Sequence, residues 1–395
     1  MLPITPVNPG YSPGTAARLP VERAWLYQPV SEWSYSHHPH LAHFKGRFFA
    51  IWSNGRRDED APGQRVLCAT SADFRTWTPP VPLLDAQHGA HGELVLTAAG
   101  FHQHAGCLVA YAGQYEYRAE CLENGQRRPG DNGHMNTGLC ALTTTDGVTW
   151  EGPRNLGLRI VPNHGPQKTA SGRLIISGNI SFPHTDDPAG LVGWKITGIY
   201  PPQMATGIVD DSESFWQVKA AAGWPVGLCE GSFYQTDDGV LHMLLRSNAD
   251  RLWLTESRDD GESWSAPIET GFTDNATKFH FGRLPDGRFY YVGCPDPEPL
   301  WRRCPLVLSL SDDGLCFNRH FILADASAPY EQVATGLHKG GDYGYPHTLV
   351  HGGALQVIVS RKKEAVEVLR VPLAALGTRD LTETLGSVRR RTPPR

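Results

Sequence analysis

Apolar residues along this chain come in short bursts, not helical stripes. Six times a turn ending in glycine opens a run of β-branched and aromatic residues. The runs are GRFFAIWS from Gly46, GCLVAYAG from Gly106, GRLIISGN from Gly172, GVLHMLLRS from Gly239, GRFYYVG from Gly287 and GALQVIVS from Gly353. Runs of this length and composition between turn residues read as strands. The glycines are 48 to 67 residues apart, a period that suits four-stranded units repeated around a ring. No segment sustains a helical period. The pattern predicts an all-β fold, a six-bladed β-propeller of four-stranded antiparallel blades. A seventh blade within Asn179–Gly227 is the alternative.

A second repeat lies one hairpin later. Ser257-Arg-Asp-Asp-Gly-Glu-Ser-Trp264 has the form S-x-D-x-G-x-[ST]-W, and Thr144-Thr-Asp-Gly-Val-Thr-Trp150 is one residue shorter. Ser71–Trp77 and Ser311–Phe317 are degenerate copies. Such a turn needs Asp to bond nearby backbone, Gly for a left-handed step and Trp to pack between sheets. These turns are folding elements, not active-site groups. The last repeat, Tyr345 to Leu376, lacks an outer strand, which Ala24-Trp-Leu-Tyr-Gln-Pro29 can supply to close the ring. The expected organisation is an N-terminal segment over 1–36, a single propeller domain over 37–380 and a flexible tail over 381–395. The polar, Gly-rich stretch Glu116–Met135 is expected to be a surface loop overhanging the pocket.

Composition narrows the function classes. Net charge is −5 and the only basic cluster is the terminal SVRRRTPPR, so a nucleic-acid partner is not expected. No run of 18 apolar residues exists, so no membrane span is expected. The first residues carry no signal-peptide pattern, which suggests a cytoplasmic protein. Eight scattered cysteines without a CxxC pair read as free buried thiols.

In a ring of blades the innermost strands converge on the axis, so the residues just before each glycine turn are the candidate site. They are Tyr35-Ser-His37-His38-Pro39, Phe101-His102-Gln-His104, Asn163-His164, Cys229-Glu230, Asn275-Ala-Thr-Lys278-Phe-His280 and Tyr343-Gly-Tyr345-Pro-His347. Any single histidine here reads as structural, but polar groups at all six places in phase point to a ligand pocket, because buried polar groups need partners. Imidazoles at His37, His38, His102, His104, His164 and His280 lack metal-ligand spacing, so no metal and no cofactor is assigned.

Over nearly its whole length the chain resembles the exo-sialidase family of Asp-box propellers. That family has a Y-R-I-P first strand and a D-x-P-G loop; here stand Tyr35-Ser-His37-His38-Pro39 and Asp60-Ala-Pro-Gly63. The resemblance implies Asp60 as acid/base, Glu230 as the base for a tyrosine nucleophile, and Tyr345 (or Tyr343) as that nucleophile. Arg246 and Arg303 would then hold a substrate carboxylate. The first arginine of the family's clamp is missing, with His37 or His38 in its place, which makes sialic acid itself questionable. His104, His164 and Lys278 complete the expected substrate-binding set.

The implied activity is cleavage of a glycosidic bond in an acidic oligosaccharide or polysaccharide. A histidine-rich centre is also similar to propeller polysaccharide lyases acting on uronates, in which His38, His104, Tyr345 and Arg246 would neutralise, deprotonate and protonate. A non-catalytic glycan-binding propeller is the third reading.

Overall fold

The computed structural model describes residues 5–128, 130, 133–200 and 218–377. Among these, strands form six main sheets in chain order, plus one small hairpin at Leu122–Glu123 and Gln126–Arg127. The first sheet holds Tyr35–Phe44, Arg47–Gly55, Arg65–Ser71 and Val81–Leu84, and the second Val95–His104, Cys107–Tyr117, His134–Thr144 and Glu151–Asn155. The fourth runs from Leu228–Gln235 through Leu241–Ser247 and Arg251–Ser257 to Ile268–Thr273. All are antiparallel meanders.

Three sheets depart from a uniform four-stranded plan. The third has three two-residue strands, Gln167–Lys168, Leu174–Ile175 and His184–Thr185, extended by isolated bridges from His184 to Lys195 and from Ser181 to Gly198. Pro162, Gly165, Pro166, Gly172, Gly178 and Pro183 interrupt its ladder, since proline removes a donor and glycine weakens a strand. The fifth sheet (His280–Arg283, Phe289–Gly293, Leu306–Ser311 and Arg319–Ala324) gains Ala17–Arg18 as a parallel outer strand. The sixth (Gly344–His351, Ala354–Arg361 and Ala365–Pro372) is completed by Glu22–Tyr27, with Ala24 opposite Val368. N- and C-terminal segments thus share one sheet, with Glu22–Tyr27 as its outer strand. The tail 381–395 and part of the Asn179–Gly227 stretch lie outside the described residues.

Six apolar cores separate the sheets. One lies between the first and second (Phe49, Ile51, Leu96, Leu108) and another between the fourth and fifth (Leu244, Leu254, Phe281, Phe289). A third joins the sixth back to the first (Trp52, Leu67, Ile358, Val368). The remaining pairs of neighbours are cemented likewise.

The repeated aspartate turns have one geometry. Asp73, Asp146, Asp259 and Asp313 each accept from a preceding Ser or Thr hydroxyl and from backbone N–H groups two to four residues on. Phe74 takes the left-handed step (φ 65°) that glycine takes in the other copies, held by burial of its ring against Phe48 and Trp77.

A second repeated device sets the level of the site. The backbone N–H of one first strand donates to a side chain on the preceding sheet's first strand. Leu41 donates to His347 Nδ1 (3.2 Å), Thr348 to His280 Nδ1 (3.0 Å), Phe281 to Ser232 Oγ (3.0 Å) and Phe233 to Gln167 Oε1 (3.4 Å). Three residues before those donors stand His38, Tyr345, Lys278 and Glu230, which therefore occupy one level around the centre.

Candidate active site

Three of those four residues sit on bulges. The strand register slips between His37 and His40, between Cys229 and Ser232, and between Gly344 and His347. The extra residue of each slip, His38, Glu230 or Tyr345, is left-handed with φ of 53°, 53° and 54°. Such a conformation costs a non-glycine residue about 1–3 kcal/mol and recurs where a strand must re-aim a side chain. Here it turns three functional groups into one pocket. In the second sheet the equivalent slip falls at Gly100, where a Cβ would come within 2.4 Å of Gly165 N.

The pocket centres on Tyr345. Its hydroxyl donates to Glu230 Oε1 and receives a bond from Arg246 Nη1 at 3.0 Å, while the same Nη1 lies 2.6 Å from Glu230 Oε2. Burial pushes the Glu230 carboxyl up, but Arg246, the Tyr345 hydroxyl and Arg303 outweigh it and hold the group below its usual range. Glu230 is thus an ionised acceptor for the phenolic proton. Arg303 and Lys278 each lie 5.7 Å from the phenol ring centre. Arg303 is left-handed (φ 56°), and its Nε and Nη1 are buried without a hydrogen-bond partner. Lys278 is fully buried and its amine has no hydrogen-bond partner; burial lowers its pKa to about 7 despite Glu230 nearby.

His37 packs against Tyr345 with ring centres 3.9 Å apart. Its Nδ1 is 2.7 Å from Ser360 Oγ, whose own proton goes to the Gly344 carbonyl, so His37 Nδ1–H donates and Nε2 is bare. That Nε2 faces Glu59 Oε1 at 3.8 Å. His38 bonds Ser53 Oγ at 3.1 Å, and burial lowers its pKa to about 4. Glu59 is tied to Lys363 at 2.5 Å. Burial, then Glu59, push the Asp60 carboxyl up to about 7. Tyr117 from the Glu116–Met135 stretch donates to the Asp60 carbonyl at 2.9 Å.

The structure thus brings together Asp60, Glu230, Tyr345, His37, His38, Arg246, Arg303 and Lys278. It does not bring in the other three expected residues. His104 lies exposed at the far end of its strand, because the slip equivalent to that of Tyr345 falls between Ala98 and Phe101, nearer the strand's start. His164 is buried below the pocket, with Nε2 bonded to the Phe279 carbonyl at 3.0 Å and its ring stacked on His280. Tyr343 turns into the core between the fifth and sixth sheets, under Arg361 and bonded to the Asp325 carbonyl. Tyrosines two apart in a strand share a face, but the slip at Tyr345 breaks that rule. Glu59, Lys363 and Ser360 were missed; the acidic pair Glu59-Asp60 was a usable signal, whereas nothing local marks Lys363.

His37, His38 and Glu59 form the one metal-type cluster among the described residues, with donor atoms within 4.8 Å of one another. Arg303, Lys278 and Lys363 all act on His37, and that positive field opposes a second cation.

Comparison with known proteins agrees with the architecture. The BNR repeat-like domain family matches residues 46–357. The chain belongs to that family. No curated protein matches the sequence. Among solved structures, this BNR repeat protein is similar to a protein of unknown function from Dyadobacter fermentans, at 17% identity and a TM-score of 0.59, over 89% of this chain and 99% of that one. The K499G mutant of NanB sialidase from Streptococcus pneumoniae matches at 14% and 0.59, over 89% and 71%. Trypanosoma rangeli sialidase in complex with sialic acid matches at 13% and 0.60, over 95% and 62%. At these identities the likeness concerns the fold: all-β and similar to sialidase propellers. No helix is long and apolar enough to cross a membrane among the described residues.

Proposed function

We propose that this BNR repeat protein is a glycosidase of sialidase type, a six-bladed propeller that cleaves an acidic sugar from an oligosaccharide or polysaccharide. The observation that carries the reading is the triangle of Tyr345, Glu230 and Arg246, a phenol bonded to an ionised carboxylate in a pocket rich in cations. A phenol suits a substrate whose reacting carbon bears a carboxylate, because a carboxylate nucleophile would be repelled. Tyr345 Oη attacks that carbon while Glu230 takes its proton. Asp60, protonated up to about pH 7, gives its proton to the departing oxygen and then activates water. Arg246 and Arg303 hold the substrate carboxylate, and Lys278 keeps the potential positive beneath them.

His37 and His38 stand where a third arginine would complete the clamp. Two neutral imidazoles there grip a carboxylate less firmly than a guanidinium, so the reading favours an acidic sugar other than sialic acid. Trp301, 46% exposed and 5.5 Å from the Arg246 guanidinium, offers a rim platform for a sugar face.

The bare Nε2 of His37 beside a phenol, on a ring that burial keeps neutral, also supports a second reading, a uronate lyase with imidazole as proton acceptor and tyrosine as acid. Incubation with a panel of acidic glycans, following product mass and ultraviolet absorbance together, separates the two. Products with added water and no new absorbance, lost in Tyr345→Phe, are expected. An absorbing, unsaturated product would replace hydrolysis by elimination. Full activity in Tyr345→Phe would end the nucleophile assignment, and glycan affinity without any product would leave a binding protein.

A further inference from the structure

The ring has a second mouth. The strands that start at Leu228 and His280 end at Gln235 and Arg283, and around those ends opens a cavity of about 630 Å³. His280 and His347 form its inner wall, and Lys168, Gln235, Arg283 and Tyr290 line its sides.

The hydrogen bonds of the two imidazoles fix their chemistry. His280 Nδ1 accepts the Thr348 N–H at 3.0 Å, and His347 Nδ1 accepts the Leu41 N–H at 3.2 Å. A neutral imidazole that accepts at Nδ1 carries its proton on Nε2. Burial keeps both rings neutral, His280 with a pKa of about 3 and His347 well below the usual value. Each therefore presents an Nε2–H donor that has no protein acceptor among the described residues, and His280 is only 7% exposed. Their rings lie 4.6 Å apart, close enough for one small group to meet both. The same tautomers exclude a metal ion, which needs a bare ring nitrogen.

Charge around the cavity is net positive, with Lys168 and Arg283 against Asp237. Arg283 is committed to Asp237 at 2.7 Å and to the Gly287 carbonyl, whereas Lys168 makes no such pair among the described residues. Behind the wall stand more unsatisfied groups: His40, with both nitrogens unpartnered and no exposure, and the buried Lys278 amine. Donors without acceptors, in a pocket whose charged lining is net positive, call for an anion.

We propose that this cavity is an oxyanion site, taking a carboxylate- or sulfate-sized group between His280 Nε2–H, His347 Nε2–H and Lys168, at the opposite mouth from the catalytic pocket. It stands independently of the glycosidase reading. A free inorganic anion and the acidic end of a sugar present the same oxygens to this site.

The test is calorimetric titration with inorganic sulfate and with glucuronate. The protein is the Arg246→Ala/Arg303→Ala double variant, in which the catalytic clamp is gone. Binding of sulfate at one site is expected, weakened at least tenfold by adding Lys168→Ala and abolished by adding His280→Leu. Equal affinities for the two probes assign the site to a free oxyanion, and tenfold tighter glucuronate assigns it to an acidic sugar. If the double variant fails to fold, loss of one of two sulfate sites from the parent protein on Lys168→Ala carries the test. No binding of either probe, or binding indifferent to both added substitutions, overturns the proposal.

Discussion

Replacing Lys278 by methionine should stabilise this protein, and by an amount that depends on pH. The amine is fully buried without a hydrogen-bond partner, and its pKa falls from 10.5 to about 7. At about 1.4 kcal/mol per pH unit, that difference amounts to about 5 kcal/mol of destabilisation when the folded protein must carry the charge. The unfolded chain keeps its proton up to about pH 10.5, whereas the folded chain releases it near 7. The penalty is therefore full below pH 7 and fades as pH rises from 7 to 10.5. At pH 9 only about 2 kcal/mol of it remains by the same arithmetic. Lys278→Met removes the amine from both states and keeps most of the side-chain volume. Its gain over the parent should approach 5 kcal/mol at pH 6 as a ceiling and be about 3 kcal/mol smaller at pH 9. Urea unfolding of both proteins at the two pH values measures this. A variant less stable than the parent at pH 6, or one whose gain is the same at both pH values, would refute the reasoning. A stabilised variant with lower turnover would place Lys278 among residues kept for function against stability.

Other outcomes follow from the same geometry. Asp60→Asn should reduce cleavage of substrates with poor leaving groups by about 10²–10⁴-fold and remove the loss of kcat/KM expected in the parent as pH rises through about 7. Because the folded Asp60 keeps a proton that the unfolded chain gives up above its usual 3.8, the parent should lose stability between pH 4 and 7 relative to this variant, as paired unfolding curves would show. Trp301→Ala should raise KM with little change in kcat if the exposed ring is a sugar platform; steady-state kinetics read this directly. Asp146→Ala removes an acceptor for Val148 N–H, Thr149 N–H and the Thr144 hydroxyl. It should lower the midpoint of thermal unfolding and leave turnover unchanged, since the turn is a folding element.

The sequence by itself determined the repeat. Six glycine-led apolar runs and four aspartate turns are local signals, written in neighbouring residues, and they mark strands and hairpins because burial and turn geometry act over a few positions. The pairing of Ala24–Tyr27 with the last repeat was readable for the same reason: an unfilled edge needs a strand. The proposed catalytic set was legible only where the family resemblance supplied it, at Asp60, Glu230, Arg246, Arg303 and Tyr345. Tertiary structure decided the rest. Which residue of each first strand faces the centre depends on a one-residue slip, and a slip reverses every side chain after it. His104 was misplaced and Tyr343 was mistaken for an alternative to Tyr345 because the slip is invisible in a run of strand-forming residues. Lys363 reaches Glu59 across 304 positions of chain, and no local pattern encodes such a contact. The tautomers of His280 and His347 were likewise set by backbone N–H groups of the next sheet, so what those histidines can bind was decided only when the ring brought the sheets together.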